Sequence, residues 1–329
     1  MVVPRGEGAR QGDERSLIAP PTLELYCPIP AERNPRAGAA HQQSLDWALE
    51  RRLVSDGPGL EKLDRASLAE LEACAFPHAP LEMLTLATVW VTLFCAIDDF
   101  VESSHLGVLR LSRYLSRVLA EFRGTASPQR DPLCHGFYDF GQELRSLTGP
   151  ELADAFAREL EDLFSAYVWE EINRRHATHP DYAAYRIMRV TTIGLRPQFL
   201  LSQAIGPEGQ PSERAGIVLR ELEKIACLAV GWANDIFTYD KELSQGEVHN
   251  LVAVLMRTEE LPLREALGRA RALHDDEVCS FLRLQAQLAN LAGESEATAY
   301  RVAHLRHWIG GHLHWAVRNG RYRPSPAAA

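Results

Sequence analysis

From about Ser44 to Asn319, apolar residues recur at intervals of three and four, the repeat of a helix that buries one face. Leu68, Leu71 and Cys74 form one such stripe, Leu219, Leu222, Ile225 and Ala226 a second, and Val278, Leu282, Leu284 and Leu288 a third. Alternation of β-branched and polar residues, the signature of strands, is almost absent, so the spacing predicts an all-α chain. Breakers at Pro77 and Pro80, Gly124 to Pro128, Gly149-Pro150, Pro180, Gly206 to Pro211, Gly246 and Gly310-Gly311 divide the pattern into about ten helices. Six of the 19 prolines precede position 37, which predicts a tail over 1–20 and then an extended strap. No linker-like shift in composition and no internal repeat follows, so one helical bundle is expected over 21–322, with a Pro/Ala tail over 323–329.

With 35 Lys and Arg against 44 Asp and Glu, the formal charge is −9, which argues against nonspecific nucleic-acid binding. Hydrophobic residues make up 46% and charged residues 24%, enough to bury a large core. The longest uncharged stretch, Met83 to Ile97, has 15 residues and three threonines, too short for a membrane span, so none is expected. The first residues lack an apolar run, which predicts no secretory signal and a cytoplasmic protein. Its six cysteines are scattered without metal-ligand spacing and read as free thiols.

Two acidic clusters carry the candidate chemistry. The run from Leu81 to Ile97 is apolar on nearly every face, as in a helix inside a bundle, and it ends in Asp98, Asp99 and Glu102. Three carboxylates at the end of a buried helix repel one another unless a cation neutralises them, and hard oxygen donors suit Mg²⁺. The competing explanation is a helix end that meets solvent. The second cluster is the string NDIFTYDKE, residues 234–242. Asn234, Thr238 and Glu242 stand at i, i+4 and i+8, so an amide, a hydroxyl and a carboxylate share one helical face, with Lys241 beside them. A plain polar face is the alternative, but the composite pattern should arise by chance in only about one chain in a thousand.

Together the clusters resemble the bacterial class I terpene synthase (terpene cyclase) family over most of the chain, about Leu25 to Tyr322. FCAIDDFVE is similar to the family's aspartate-rich motif and NDIFTYDKE to its second metal motif. The resemblance implies Asp98, Asp99, Glu102, Asn234, Thr238 and Glu242 as metal ligands, with Asp98 foremost, and Lys241 as a diphosphate contact. The stretches WEEINR and YRIMRVTTIGLRP resemble the family's pyrophosphate-sensing region. They imply Arg189, 45 residues before Asn234, as the sensor, with Arg186 one turn away as its rival, Thr192 as the linker and the backbone of Ile193 as the effector. Arg321-Tyr322 is similar to the family's RY pair, which closes over the diphosphate.

The resemblance also implies the reaction: ionisation of a linear isoprenoid diphosphate with about three Mg²⁺ ions, then cyclisation of the carbocation in a dry apolar pocket. Farnesyl diphosphate is the expected substrate and geranylgeranyl diphosphate the alternative; homodimerisation is left open. Candidate pocket aromatics are Trp90, Phe94, Phe199, Trp308 and Trp315. His249-Asn250 reads as a helix start, with a contact that supports the second motif as the alternative, and the metal-like string His274-Asp275-Asp276-Glu277 as a solvated face. A chain-elongating prenyl transferase is disfavoured because the second cluster is not aspartate-rich, and a noncatalytic helical binding protein because both clusters are intact.

Overall fold

The computed structural model describes residues 24–126, 131–244, 246–289 and 295–319. Thirteen helices and no strand occur among them. In order they are α1 Ala37–Glu50, α2 Pro58–Ala66, α3 Leu68–Ala75, α4 Leu81–Ser103, α5 Val108–Phe122, α6 Pro132–Thr148 and α7 Pro150–His176. Then follow α8 Tyr182–Thr192, α9 Arg196–Ile205, α10 Glu213–Ser244, α11 Leu251–Thr258, α12 Leu263–Ala289 and α13 Glu296–Ala316. The count exceeds the breaker count because non-glycine residues also end helices: Ser67, at φ 49°, separates α2 from α3. The first helix starts at Ala37, seven positions before the visible periodicity, because its mean apolar character is low.

The all-round apolar α4 is packed by α1, α3, α6 and α9, and Leu84, Leu86, Ala87, Leu93 and Ile97 have no exposed surface. By length and composition it could cross a membrane, with mean hydropathy 1.7, but 61% of that window is buried within the bundle. Trp90 sits in an aromatic cluster, its ring centroid 4.9 Å from Phe156 and 6.0 Å from Phe140. The longest helix, α10, lies against α8, α11, α12 and α13. Side-chain caps set several boundaries: Asp181 receives the Ala184 N–H after Pro180, and Asn250 receives the Val252 N–H to start α11.

One predicted breaker is corrected. Gly310 and Gly311 lie inside α13, not at its end, because they are contact glycines. A Cβ on Gly310 would stand 2.7 Å from the Ile29 carbonyl oxygen, and one on Gly311 2.6 Å from Cys74 Cβ. The strap that includes Ile29 is the extended segment expected from the prolines, and it is tied down by Asn34, whose side-chain amide donates to the Phe76 and Ala79 carbonyls at 2.9 Å. The six cysteines are free thiols, three of them buried.

Candidate active site

The C-terminal third of α4 and the second half of α10 face one cavity, with the end of α7, the α8–α9 corner and α13 closing its remaining sides. It holds about 1120 Å³ of atom-free space, open mouth included. Asp98 and Glu102 from α4 and Asn234, Thr238, Lys241 and Glu242 from α10 line it together. Residues 136 positions apart, Asp98 and Asn234, thus reach one site because each ends or interrupts an apolar run that is anchored in the core. Deeper walls are apolar: Leu68, Leu71, Trp90, Val91, Phe94, Trp308 and Trp315.

Arg189 ties the α8 corner to α10. Its guanidinium donates to Asn234 Oδ1 at 2.7 Å, pairs with Asp235 Oδ1 at 2.7 Å, and reaches Thr192 Oγ1 at 3.4 Å. Asp235 is itself fixed by the Tyr185 hydroxyl at 2.7 Å and the Leu251 N–H at 2.9 Å. Burial works against the Arg189 charge, but Asp235, Tyr185, Glu242 and Glu170 outweigh it and raise the pKa, so the group stays a cation. Arg186 points elsewhere and pairs with Glu277 at 2.9 Å, which separates Arg189, the sensor that the resemblance implies, from its rival. Thr192 and Ile193 line the cavity at the C-terminal end of α8. Gly194, at φ 72°, makes the corner possible, and any Cβ there would collide with the Phe94 ring.

Carboxylates crowd the mouth. Glu102 is pushed up to about 8, by burial first and then by the neighbouring Asp98 charge, with Lys241 acting against both. Glu170 is raised well above its ordinary value by burial and by Glu247, and Glu242 by burial and Asp235. The Tyr167 phenol is likewise held neutral by burial and by the charges of Asp98 and Glu170. Glu247 goes the other way: burial would raise it, but His249 and Arg174 win and hold it at about 2. Its Oε1 accepts from His249 Nδ1 at 2.6 Å and its Oε2 from Arg174 at 2.9 Å.

These donors are carboxylate, amide and hydroxyl oxygens, and burial together with neighbouring carboxylates raises Glu102, Glu170 and Glu242 above the ordinary range. The set fits Mg²⁺ completed by ligand oxygens. Among the described residues, no three His, Cys, Asp or Glu side chains form a closed metal site by themselves.

Two expected residues lie elsewhere. Asp99 turns to an outer groove, where it pairs with Lys62 at 3.0 Å, because a residue adjacent to Asp98 points about a quarter turn away around the helix. Phe199 is buried on α9 with its ring edge against His304, centroids 6.1 Å apart, and is not part of the cavity wall. Arg321 and Tyr322 fall outside the described residues. His274 to Glu277 is not simply a solvated face: His274 is buried, Asp275 accepts the Tyr26 N–H at 2.9 Å, and Glu277 holds Arg186.

Sequence reasoning passed over Tyr167, Glu170, Gln198, Glu247 and His312, all of which line the cavity. Glu170 sits in the quoted WEEINR string, and His312 lies four residues after Trp308 and three before Trp315, so a helical face would have found both. Gln198 was hidden by its partner: its amide donates to the fully buried Glu72 at 2.8 Å, 126 positions away. Asn250 is the helix start expected, and it also donates to Glu242 Oε2 at 2.9 Å, bracing the end of α10.

An α-helical bundle with one deep apolar cavity, and with opposed clusters of hard oxygen donors and an arginine at its mouth, defines an isoprenoid-diphosphate enzyme of the class I terpene synthase type. The family profile described as terpene synthase family 2, C-terminal metal binding, matches residues 89–279. The chain belongs to that family, and it is a terpene synthase, a lyase. It is 27% identical over 304 residues to germacrene A synthase of Nostoc punctiforme, covering 91% of this chain and 94% of that one. It is 28% identical over 306 residues to (+)-T-muurolol synthase of Roseiflexus castenholzii, covering 92% and 94%. Among solved structures, germacradien-4-ol synthase of Streptomyces citricolor shares the fold with a TM-score of 0.78 at 20% identity, over 90% of this chain and 98% of that one.

Proposed function

We propose that the protein is a Mg²⁺-dependent sesquiterpene cyclase that ionises farnesyl diphosphate and closes the carbocation into a cyclic hydrocarbon or alcohol. Two oxygen-rich clusters on separate helices, meeting at a cavity with apolar walls, carry this assignment. The 15-carbon chain length is supported by relatives named as farnesyl-diphosphate cyclising, the T-muurolol and 4-epi-cubebol synthases. Free thiols throughout suit a cytoplasmic setting.

Asp98 and Glu102 would hold metal from one side and Asn234, Thr238 and Glu242 from the other; Asp99, paired with Lys62, is left outside that set. When bound, Mg²⁺ supplies Lewis-acid neutralisation of the diphosphate leaving group. Arg189, Lys241 and Arg321 add charge-assisted hydrogen bonds to the phosphate oxygens. Because Arg189 already holds Asn234, an anion arriving at the arginine pulls on a metal donor and on the Thr192–Ile193 corner together. The walls of Trp90, Phe94, Trp308 and Trp315 exclude water and offer aromatic faces to passing positive charge.

Incubation with Mg²⁺ and, separately, geranyl, farnesyl and geranylgeranyl diphosphate, with pyrophosphate release and gas chromatography–mass spectrometry as readouts, tests this. A cyclic C15 product, lost with chelator, is expected. Turnover of the C20 substrate alone would overturn the chain length, and no turnover by folded protein would overturn the activity.

A further inference from the structure

Several side chains of the cavity wall bury a polar atom without a partner, Trp308 Nε1 and Gln198 Oε1 among them, and His312 is the one of these that can act as a base. On α13, Trp308, His312 and Trp315 occupy one face, and all three line the cavity. Trp315 is pinned by its indole N–H, which reaches the Ala66 and Ser67 carbonyls at 3.1 Å. His312 packs against it, ring centroids 5.9 Å apart. The imidazole is 4% exposed, and its Nδ1 is buried with no hydrogen-bond partner among the described residues. A buried polar atom without a partner forfeits its hydration for nothing in return, whereas a phenylalanine would fill the same wall without that cost. The position therefore calls for a use of the ring in the reaction.

We propose that the imidazole of His312 is the base that ends the reaction, taking a proton from the last carbocation to leave an olefin. This rests on the carbocation chemistry assigned above. The C–H bond beside the cationic carbon breaks, its electron pair becomes the second bond of the alkene, and the proton moves to the imidazole lone pair. When the site opens, the imidazolium passes that proton to water or to the departing pyrophosphate and is neutral again.

Three features fit the role. Burial holds the ring low, at about 3, helped by the charges of His274 and Arg189, so it is neutral with its lone pair available before each turnover. A carbocation is so acidic that even this weak base accepts its proton downhill. The cavity's other imidazole, His249, has both ring nitrogens engaged, by Glu247 at 2.6 Å and Asn173 at 3.1 Å; the Thr192 hydroxyl and the Gln198 amide are far weaker bases, and the carboxylates cluster around the metal motifs. The recessed position of Nδ1 also disfavours carbon–nitrogen bond formation, which requires closer approach than proton transfer does.

The test compares wild type with His312→Phe and His312→Gln, each checked for folding by circular dichroism, using farnesyl diphosphate and Mg²⁺. The readout is the product distribution at equal extents of substrate turnover, with pyrophosphate release followed in parallel to show that each variant still ionises the substrate. The wild-type olefin should fall by about tenfold or more as a share of product, replaced by other olefins or alcohols. If the Phe variant fails to fold, the Gln variant decides. An unchanged product profile, an alcohol as the main wild-type product, or a terpenyl adduct on His312 by protein mass spectrometry would each overturn the proposal while leaving the cyclase assignment standing. An inert wild type would instead overturn the cyclase assignment itself.

Discussion

Arg189 shows how much a single side chain does in this site. It binds Asn234 and Asp235 at once, while Arg186, one turn earlier on α8, binds Glu277. Replacing Arg189 by Ala should lower the rate of pyrophosphate release by about a hundredfold, and replacing Arg186 by Ala should leave it within about threefold. Steady-state assays of the two variants check this; equal losses would mean that the arginines were wrongly distinguished. Glu72 offers a test of charge rather than catalysis. It is fully buried against Gln198, and burial raises its pKa well above the ordinary value, with the Gln198 hydrogen bond acting weakly against that shift. A carboxyl whose folded pKa lies above its unfolded value costs nothing below the unfolded value, and its contribution to stability declines as pH rises from there through the folded value. Glu72→Gln should therefore match wild type near pH 4 and be more stable at pH 8, by on the order of 1 kcal/mol, in urea unfolding. A variant less stable at pH 8 would show that the carboxylate has a partner worth more than its burial costs.

At the scale of elements, the two motif helices were legible because their chemistry is local. Asn234, Thr238 and Glu242 share a face by spacing alone, and the unbroken apolar run ending at Asp98 marks α4 as internal. The α13 glycines were misread because a Gly-Gly pair signals a break only when nothing packs on it. Here Ile29 and Cys74 do, from segments more than 200 residues distant in sequence. Gly310→Ala and Gly311→Ala should each destabilise the protein by about 1–3 kcal/mol through forced separation of packed backbone. Gly268→Ala, in α12 with no atom within 4 Å of the added Cβ, should stabilise it by up to about 1 kcal/mol. Urea midpoints of the three variants measure this directly, and destabilisation by all three would mean that packing at α13 is not the cause.

Across the whole molecule, what sequence could not reveal is what depends on third parties. Asp98 and Asn234 were identifiable as ligand types, but the turn of Asp99 toward Lys62 depends on how α4 is rotated in the bundle. Gln198 and His312 reach the cavity from α9 and α13, and Glu72 on α3 braces Gln198 from behind. Phe199 was misplaced for the same reason, its ring being drawn to His304. The bundle thus supplies two things that no single segment carries: a mouth assembled from opposed helices, and a wall that sets the His312 imidazole between Trp308 and Trp315.

The joint action of the two clusters is tested most directly by the rate of pyrophosphate release from farnesyl diphosphate at saturating Mg²⁺ in Asp98→Ala and Asn234→Ala, made separately. With one donor removed from α4 or from α10, each variant should fold normally and lose about a hundredfold or more in rate. Near-wild-type turnover by either variant would contradict a site built from both helices.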